Sequence, residues 1–159
     1  HLVFSTLHTL DASETINRIV SIFPPHQQRQ VRIQLAGILK AVISQRLVPR
    51  ADTEGRCAAI EVMVTTPFIR ECIVDKDRTS LIHGAIAAGT SQYGMQTFDQ
   101  ALFDLYEQGL VSYEEALRWA TRVDEFKLRV QGIATTTDTA RDEMTQGATG
   151  MPDIVRYGD

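Results

Sequence analysis

Leu2-Val3-Phe4 form an unbroken apolar run ahead of polar Ser5 and Thr6, a pattern that predicts a short buried strand over residues 1–6. Asp11, with Glu14 three residues on, is an Asp form of the capping box, and Ile16, Ile19, Val20 and Phe23 give the helix behind it one apolar stripe. Pro24-Pro25 end that helix and open another. The second helix is expected over residues 26–45, with Val31, Leu35, Ile38, Leu39 and Val42 at helical spacing. Leu47-Val48 then begin an extended segment, residues 52–55 supply turn chemistry, and residues 57–65 read as a strand. Ala58, Ile60, Val62 and Val64 share one face of that strand, with Glu61 and Thr65 on the other. This pattern predicts a β-hairpin.

From Pro67 onward the periodicity is helical. Thr66-Pro67 is an N-cap followed by Pro at the first helical position, opening a short helix in which Phe68, Ile69, Cys72 and Ile73 pack inward. A further helix is expected over residues 79–88, stopping near Gly89. Thr97 with Gln100, and Ser112 with Glu115, make two more capping boxes, and Gly109 between them fits the residue just past a helix end. A last helix over residues 124–131 is closed by Gly132. Beyond residue 133 the chain is rich in Thr, Gly and Asp without periodicity, as expected of a mobile tail over residues 134–159.

At 159 residues the chain is long enough for one compact core. A net charge of −4 argues against a general nucleic-acid binder. No apolar run is long enough to cross a bilayer and no signal-peptide pattern opens the chain, while Cys57 and Cys72 form no C-x-x-C pair and read as reduced thiols rather than zinc ligands or a disulfide. The sequence opens inside an apolar run, which is expected of a cut through a longer protein.

The first candidate for chemistry is the segment His1-Leu2-Val3-Phe4-Ser5-Thr6-Leu7-His8-Thr9. A buried strand delivers polar side chains at its end, where α/β proteins place ligand sites, and an imidazole there can donate to a phosphate oxygen. On spacing alone, a His8 that caps a strand end or a nearby helix is the stronger reading. The segment resembles the "His box" of the secretion and pilus ATPases, G-H-L-V-x-x-T-L-H-T. Asp11-Ala12-Ser13, Ile16-Asn17-Arg18-Ile19 and Phe23-Pro24 resemble the helix that comes after that box in the family. The resemblance implies a RecA-like core and a hexameric ring, with His8 facing the γ-phosphate of ATP and His1 in the place of the box's first histidine.

Three further stretches carry the resemblance in order. Ser44-Gln45-Arg46-Leu47 is similar to the family's Q-R-L segment, which implies that Arg46 stacks on adenine; read alone, Arg46 is a solvent-exposed arginine at a helix end, favoured by the helix dipole. Residues 68–75 resemble the A-I-R-N-L-I-R-E motif of the type IV pilus retraction ATPases. Ile69, Arg70 and Ile73 match, Asp75 keeps the acid, and Glu71 and Val74 depart from it. That likeness implies a motor or partner role for Phe68, Ile69, Arg70, Glu71 and Ile73; read alone, the stretch is an amphipathic helix with Arg70 and Glu71 on its exposed side. Gly94-Met95-Gln96-Thr97-Phe98-Asp99 is similar to G-M-Q-T-[LF]-D, and the likeness continues through Gly109-Leu110-Val111-Ser112 and Asp124-Glu125-Phe126-Lys127-Leu128.

The fold class implied is α/β: the C-terminal part of a RecA-like core over residues 1–66, with a small hairpin, and a helical bundle over residues 67–133. The implied function is ATP-driven retraction of type IV pili and twitching motility. A homo-hexamer, a platform protein of the inner membrane as partner, and a cytoplasmic, membrane-peripheral location come with it. No Gly-x-x-x-x-Gly-Lys-Ser/Thr occurs, since none of the three lysines, Lys40, Lys76 and Lys127, follows a glycine. The P-loop, the Walker-B acid and the ring arginines are therefore expected upstream of residue 1. ATP and Mg2+ are expected as cofactors of the full-length protein, with none expected in this fragment. The lack of a tetracysteine zinc module favours the retraction branch. Two readings compete. A helix-turn-helix over residues 98–119 is poor, because Glu114 and Glu115 would repel phosphates at the start of its second helix. A helical interaction or regulatory module without ATPase activity is the other.

Overall fold

The structure, a computed structural model, describes residues 1–133. Helix α1 spans Ala12–Ser21 and α2 spans Pro25–Ile38; strands β1 (Ala41–Pro49) and β2 (Arg56–Val64) come next. Then come α3 (Pro67–Val74), a 3-10 segment (Lys76–Leu81), α4 (Ile82–Ala88), α5 (Thr90–Tyr93), α6 (Phe98–Glu107), α7 (Tyr113–Trp119) and α8 (Val123–Val130). This is the expected helix-rich α/β chain with a small hairpin, followed after residue 66 by helices α3–α8.

The local signals hold where caps are local. Thr66 accepts the amide of Ile69 with Pro67 at the first helical position, and Thr97 and Gln100 make both halves of their capping box. Ser112 caps α7 at Glu115, and Gly109 and Gly132 take the left-handed conformation past α6 and α8. The second helix ends earlier than expected. Leu39 is already extended, and residues 41–45 belong to β1. Val42 continues the helical stripe by coincidence of spacing, but adjacent β-branched Val42 and Ile43 are stiff and favour the strand.

Residues 1–6 do not form the expected strand. Leu2, Val3 and Phe4 are 74%, 78% and 90% exposed, and the segment runs without regular structure to Leu10. A strand exists through its ladder partners, and among the described residues the one sheet is the antiparallel pair β1–β2. An apolar run with no neighbouring strand stays solvated.

Two apolar clusters sit on the hairpin. Ile16, Val20, Leu35, Met63, Ile69, Ile73, Ile82 and Ile86 fill the first, beneath α1–α4. Val48, Ala59, Phe98, Leu102, Val111, Ala116 and Phe126 fill the second, among α6–α8. The strand faces alternate as expected, but the inner face of β2 is the one that carries Ala59, Glu61 and Met63; Ile60, Val62 and Val64 are half-buried and Ala58 is exposed. Glu61 and Ser44, paired across the hairpin, are both buried, so a polar seam lies on a face whose ends enter the two clusters.

Candidate functional site

The seam meets the chain where α1 begins. Asp11 caps the helix by accepting the amide of Glu14 at 2.8 Å, and Glu14 reaches back to accept the amide of Leu10, also at 2.8 Å. The return bond thus lands one residue outside the standard box. The Thr15 hydroxyl donates to the Asp11 carbonyl at 2.8 Å, which makes the Thr9 hydroxyl the donor in their 2.6 Å bond.

Two side chains reach this turn from the hairpin. Glu61 Oε1 accepts the amide of Ala12 at 2.9 Å, satisfying one of the free donors of the first helical turn. Arg46 Nη2 donates to the Leu10 carbonyl at 3.2 Å and Nη1 to the Trp119 carbonyl at 3.3 Å, while the guanidinium lies 3.9 Å from the Phe98 ring centroid. Arg46 is therefore a half-buried strand residue, not an exposed residue at a helix end, and one of its flat faces is occupied by Phe98. The cause is the early start of β1, which turns position 46 inward.

Glu61 is 2% exposed. Burial pushes its carboxyl up to about 7; the Ala12 amide and Arg46 work against this, and Asp11 and Asp99 add to it. Beyond Asp99, which accepts the amides of Thr121 (2.6 Å) and Arg122 (2.9 Å), lies His83. Its Nδ1 is buried without a hydrogen-bond partner, and burial lowers its pKa, assisted by Arg122. His83, Thr97, Asp99, Gln100 and Phe126 line a cavity of about 20 Å³, room for one water. No motif marks Glu61 or His83. Glu61 could have been found as the one charged residue in the otherwise apolar stretch 57–64 of β2.

His8 and His1 are exposed, with His8 two residues before the anchored Leu10. His8 does not end a core strand; its segment is fixed from Thr9 onward by the bonds to Thr15, Glu14 and Arg46. On α3, Ile69 and Ile73 are buried, and Arg70 and Glu71 are exposed as expected. Phe68 instead faces outward, beneath the guanidinium of Arg78 at 5.3 Å, and Arg78 pairs with Glu71 at 3.0 Å. Its place in the first turn points it away from the side that Ile69 and Ile73 share. Phe68 also borders an apolar groove of about 530 Å³ with Pro67, Leu81, Ala85, Tyr93 and Met95.

Arg46 donates from Nη1 and Nη2 to two carbonyls and has one face on Phe98, while its Nε is buried without a hydrogen-bond partner, and His8 stands exposed on irregular backbone. Among the described residues no three His, Cys, Asp or Glu side chains gather to hold a metal ion.

The chain is similar to proteins of known kind. The family model for type II/IV secretion system proteins matches residues 1–156. The type IV pilus ATPase PilU of Pseudomonas aeruginosa is 37% identical over 147 residues, covering 92% of this chain and 38% of that protein. The type IV pilus retraction ATPase PilT of the same organism is 42% identical over 126 residues, covering 79% and 36%. The crystal structure of the pilus retraction motor PilT with bound ADP superposes with a TM-score of 0.65 at 42% identity, covering 79% of this chain and 34% of that one. The chain thus spans well under half the length of these relatives. It belongs to the type II/IV secretion system protein family.

Proposed function

We propose that the chain is part of an ATP-hydrolysing motor subunit that drives type IV pilus retraction and twitching motility. The likeness at 42% identity to a pilus retraction motor bound to ADP carries this reading. In it, His8 presents its imidazole to a phosphate of ATP that is held, with Mg2+, mainly by residues other than those described. His1 and Arg46 belong to the same region; Arg46 acts there through the Leu10 backbone, with its stacking face given to Phe98. The subunits assemble as a homo-hexamer at the cytoplasmic side of the inner membrane. Phe68, Arg70 and Glu71 face the motor's partner, the inner-membrane platform, with Ile69 and Ile73 holding their helix to the core. No helix among the described residues is long and apolar enough to cross a membrane, in keeping with a peripheral role.

The test is a chimera in which residues 1–159 replace the matching stretch of the P. aeruginosa retraction ATPase. ATP turnover is expected in the chimera, with kcat falling about a hundredfold in H8A through loss of a donor aimed at the phosphate. The 159-residue chain alone is expected to turn over no ATP. A chimera that assembles but hydrolyses nothing, or turnover by the isolated chain that H8A abolishes, refutes this division of labour.

The apolar groove beside Phe68 favours a second reading, an interaction module that needs no hydrolysis of its own. A chimera inactive as an ATPase that still binds the platform would support it.

A further inference from the structure

Two side chains from neighbouring strands grip the same short stretch of backbone. Arg46 on β1 holds the Leu10 carbonyl and Glu61 on β2 holds the Ala12 amide, while Thr9 is tied to Thr15 on α1. The residue immediately before this gripped stretch is His8. A glutamine could accept the same Ala12 amide without a charge, yet the position carries a carboxyl that is almost wholly out of water. An ionisable group kept at such a place points to a use beyond holding the fold.

We propose that Glu61 and Arg46 are positioning residues that clamp residues 10–12 and so set where His8 stands, with the proton on Glu61 setting how tightly the clamp holds. The inference rests on the reading of His8 as the group that meets a phosphate. A carboxylate accepts the Ala12 amide in a charge-assisted bond and attracts the Arg46 guanidinium; a protonated acid keeps only the weaker neutral bond. The charged groups that face Glu61 are Asp11 at the α1 cap, Arg46 on β1 and Asp99 on α6, and His83 on α4 shares Asp11 and Asp99 as neighbours. Burial outweighs both attractions and raises the carboxyl to about 7, so ionisation favours an opened, hydrated Glu61: the clamp is tight below neutrality and slackens above it. No bond forms or breaks in this device; one proton moves between Glu61 and solvent.

Amide hydrogen exchange in the 159-residue chain, read by nuclear magnetic resonance, tests the clamp. E61A is expected to speed exchange at Ala12 about tenfold and to loosen residues 8–11. E61Q is expected to keep Ala12 protected and to lose the pH dependence centred at about 7. Unchanged protection at Ala12 in E61A, or the same pH dependence in E61Q, overturns the clamp. The consequence for His8 is read in the chimera, where E61A should lower kcat about tenfold with KM little changed. E61Q should recover part of that rate and flatten the alkaline limb of the kcat profile. If E61A frees the backbone while kcat and its pH profile stay put in a chimera that H8A impairs, the positioning role is wrong although the clamp is real. If H8A itself leaves the chimera untouched, the reading of His8 has failed, and the positioning role falls with it.

Discussion

Arg32 and Glu61 are both buried charged residues packed against α1, yet their surroundings differ in kind. Arg32, on α2, donates to the Ile73 carbonyl at 3.0 Å, to the Thr79 hydroxyl at 3.4 Å and to Asn17 Oδ1 at 2.9 Å. Its partners are neutral acceptors from three separate elements, so the guanidinium is a bolt through the joint of α1, α2, α3 and the 3-10 segment. Burial lowers its pKa, and the charge of Asp75 only partly offsets this. Glu61 receives the Ala12 amide and has the field of Arg46 against those of Asp11 and Asp99. A buried charge wrapped in donors or acceptors is structural; one left short of them is poised to change state.

The largest test of that contrast is R32A. It removes three hydrogen bonds, leaves the Ile73 carbonyl and two side-chain oxygens facing an empty space, and opens a cavity. A loss of about 4 kcal/mol in chemical denaturation of the described region is expected. R32M, which refills the space without serving the acceptors, should recover only part of it. A loss under about 1 kcal/mol in R32A would mean that the joint is held by its apolar cluster alone.

Much of this fold is legible in the residues themselves, and the rest is hidden for a physical reason. The caps at Thr66, Thr97 and Ser112 and the turns at Gly109 and Gly132 depend on neighbours within four residues, so they are written locally. Whether residues 1–6 pair as a strand depends on a partner strand, which an apolar run cannot name. Alternation along β2 separates two faces but does not say which faces in. It sets Glu61 opposite the apolar residues, and tertiary packing puts that side against α1. At the candidate site the motif names His8, while nothing local connects Arg46 to Phe98 and Trp119, or Arg32 to Ile73.

E61Q probes the other side of the comparison, and its effect should depend on pH. The acid's folded-state pKa, about 7, lies above its ordinary 4.5. Its contribution to stability is complete below 4.5, where both states are protonated, and is lost as pH rises through 7, where the native state must bury a charge. The stability of wild type relative to E61Q should therefore fall by up to roughly 3 kcal/mol between pH 4.5 and pH 8. Denaturation curves for the two proteins at pH 5.5, 7 and 8, taken in parallel so that other groups cancel, measure it. A difference that stays flat across this range would mean that the partners of Glu61 offset its burial.

His83 is half-buried with its Nδ1 out of water, and its effect should be the smallest and of opposite sign. Its folded-state pKa is lowered, by burial first and by Arg122 second, with Asp99, Glu125 and Asp11 pulling the other way. The stability it permits is present above its ordinary 6.5 and is lost as pH falls through the lowered folded value, because the native state must then take a proton into the half-buried ring. Below neutrality, Glu61 and His83 thus work against each other: protonating the first favours the native state, and protonating the second disfavours it. H83Q should leave stability at pH 8 almost unchanged and raise it relative to wild type in mild acid. The double variant E61Q/H83Q should show less pH dependence than either single one, since both opposed contributions are gone. If H83Q instead destabilises the protein equally at pH 5.5 and pH 8, the ring matters for its packing beside Asp99 and Gln100, and the acid side of the curve belongs to Glu61 alone.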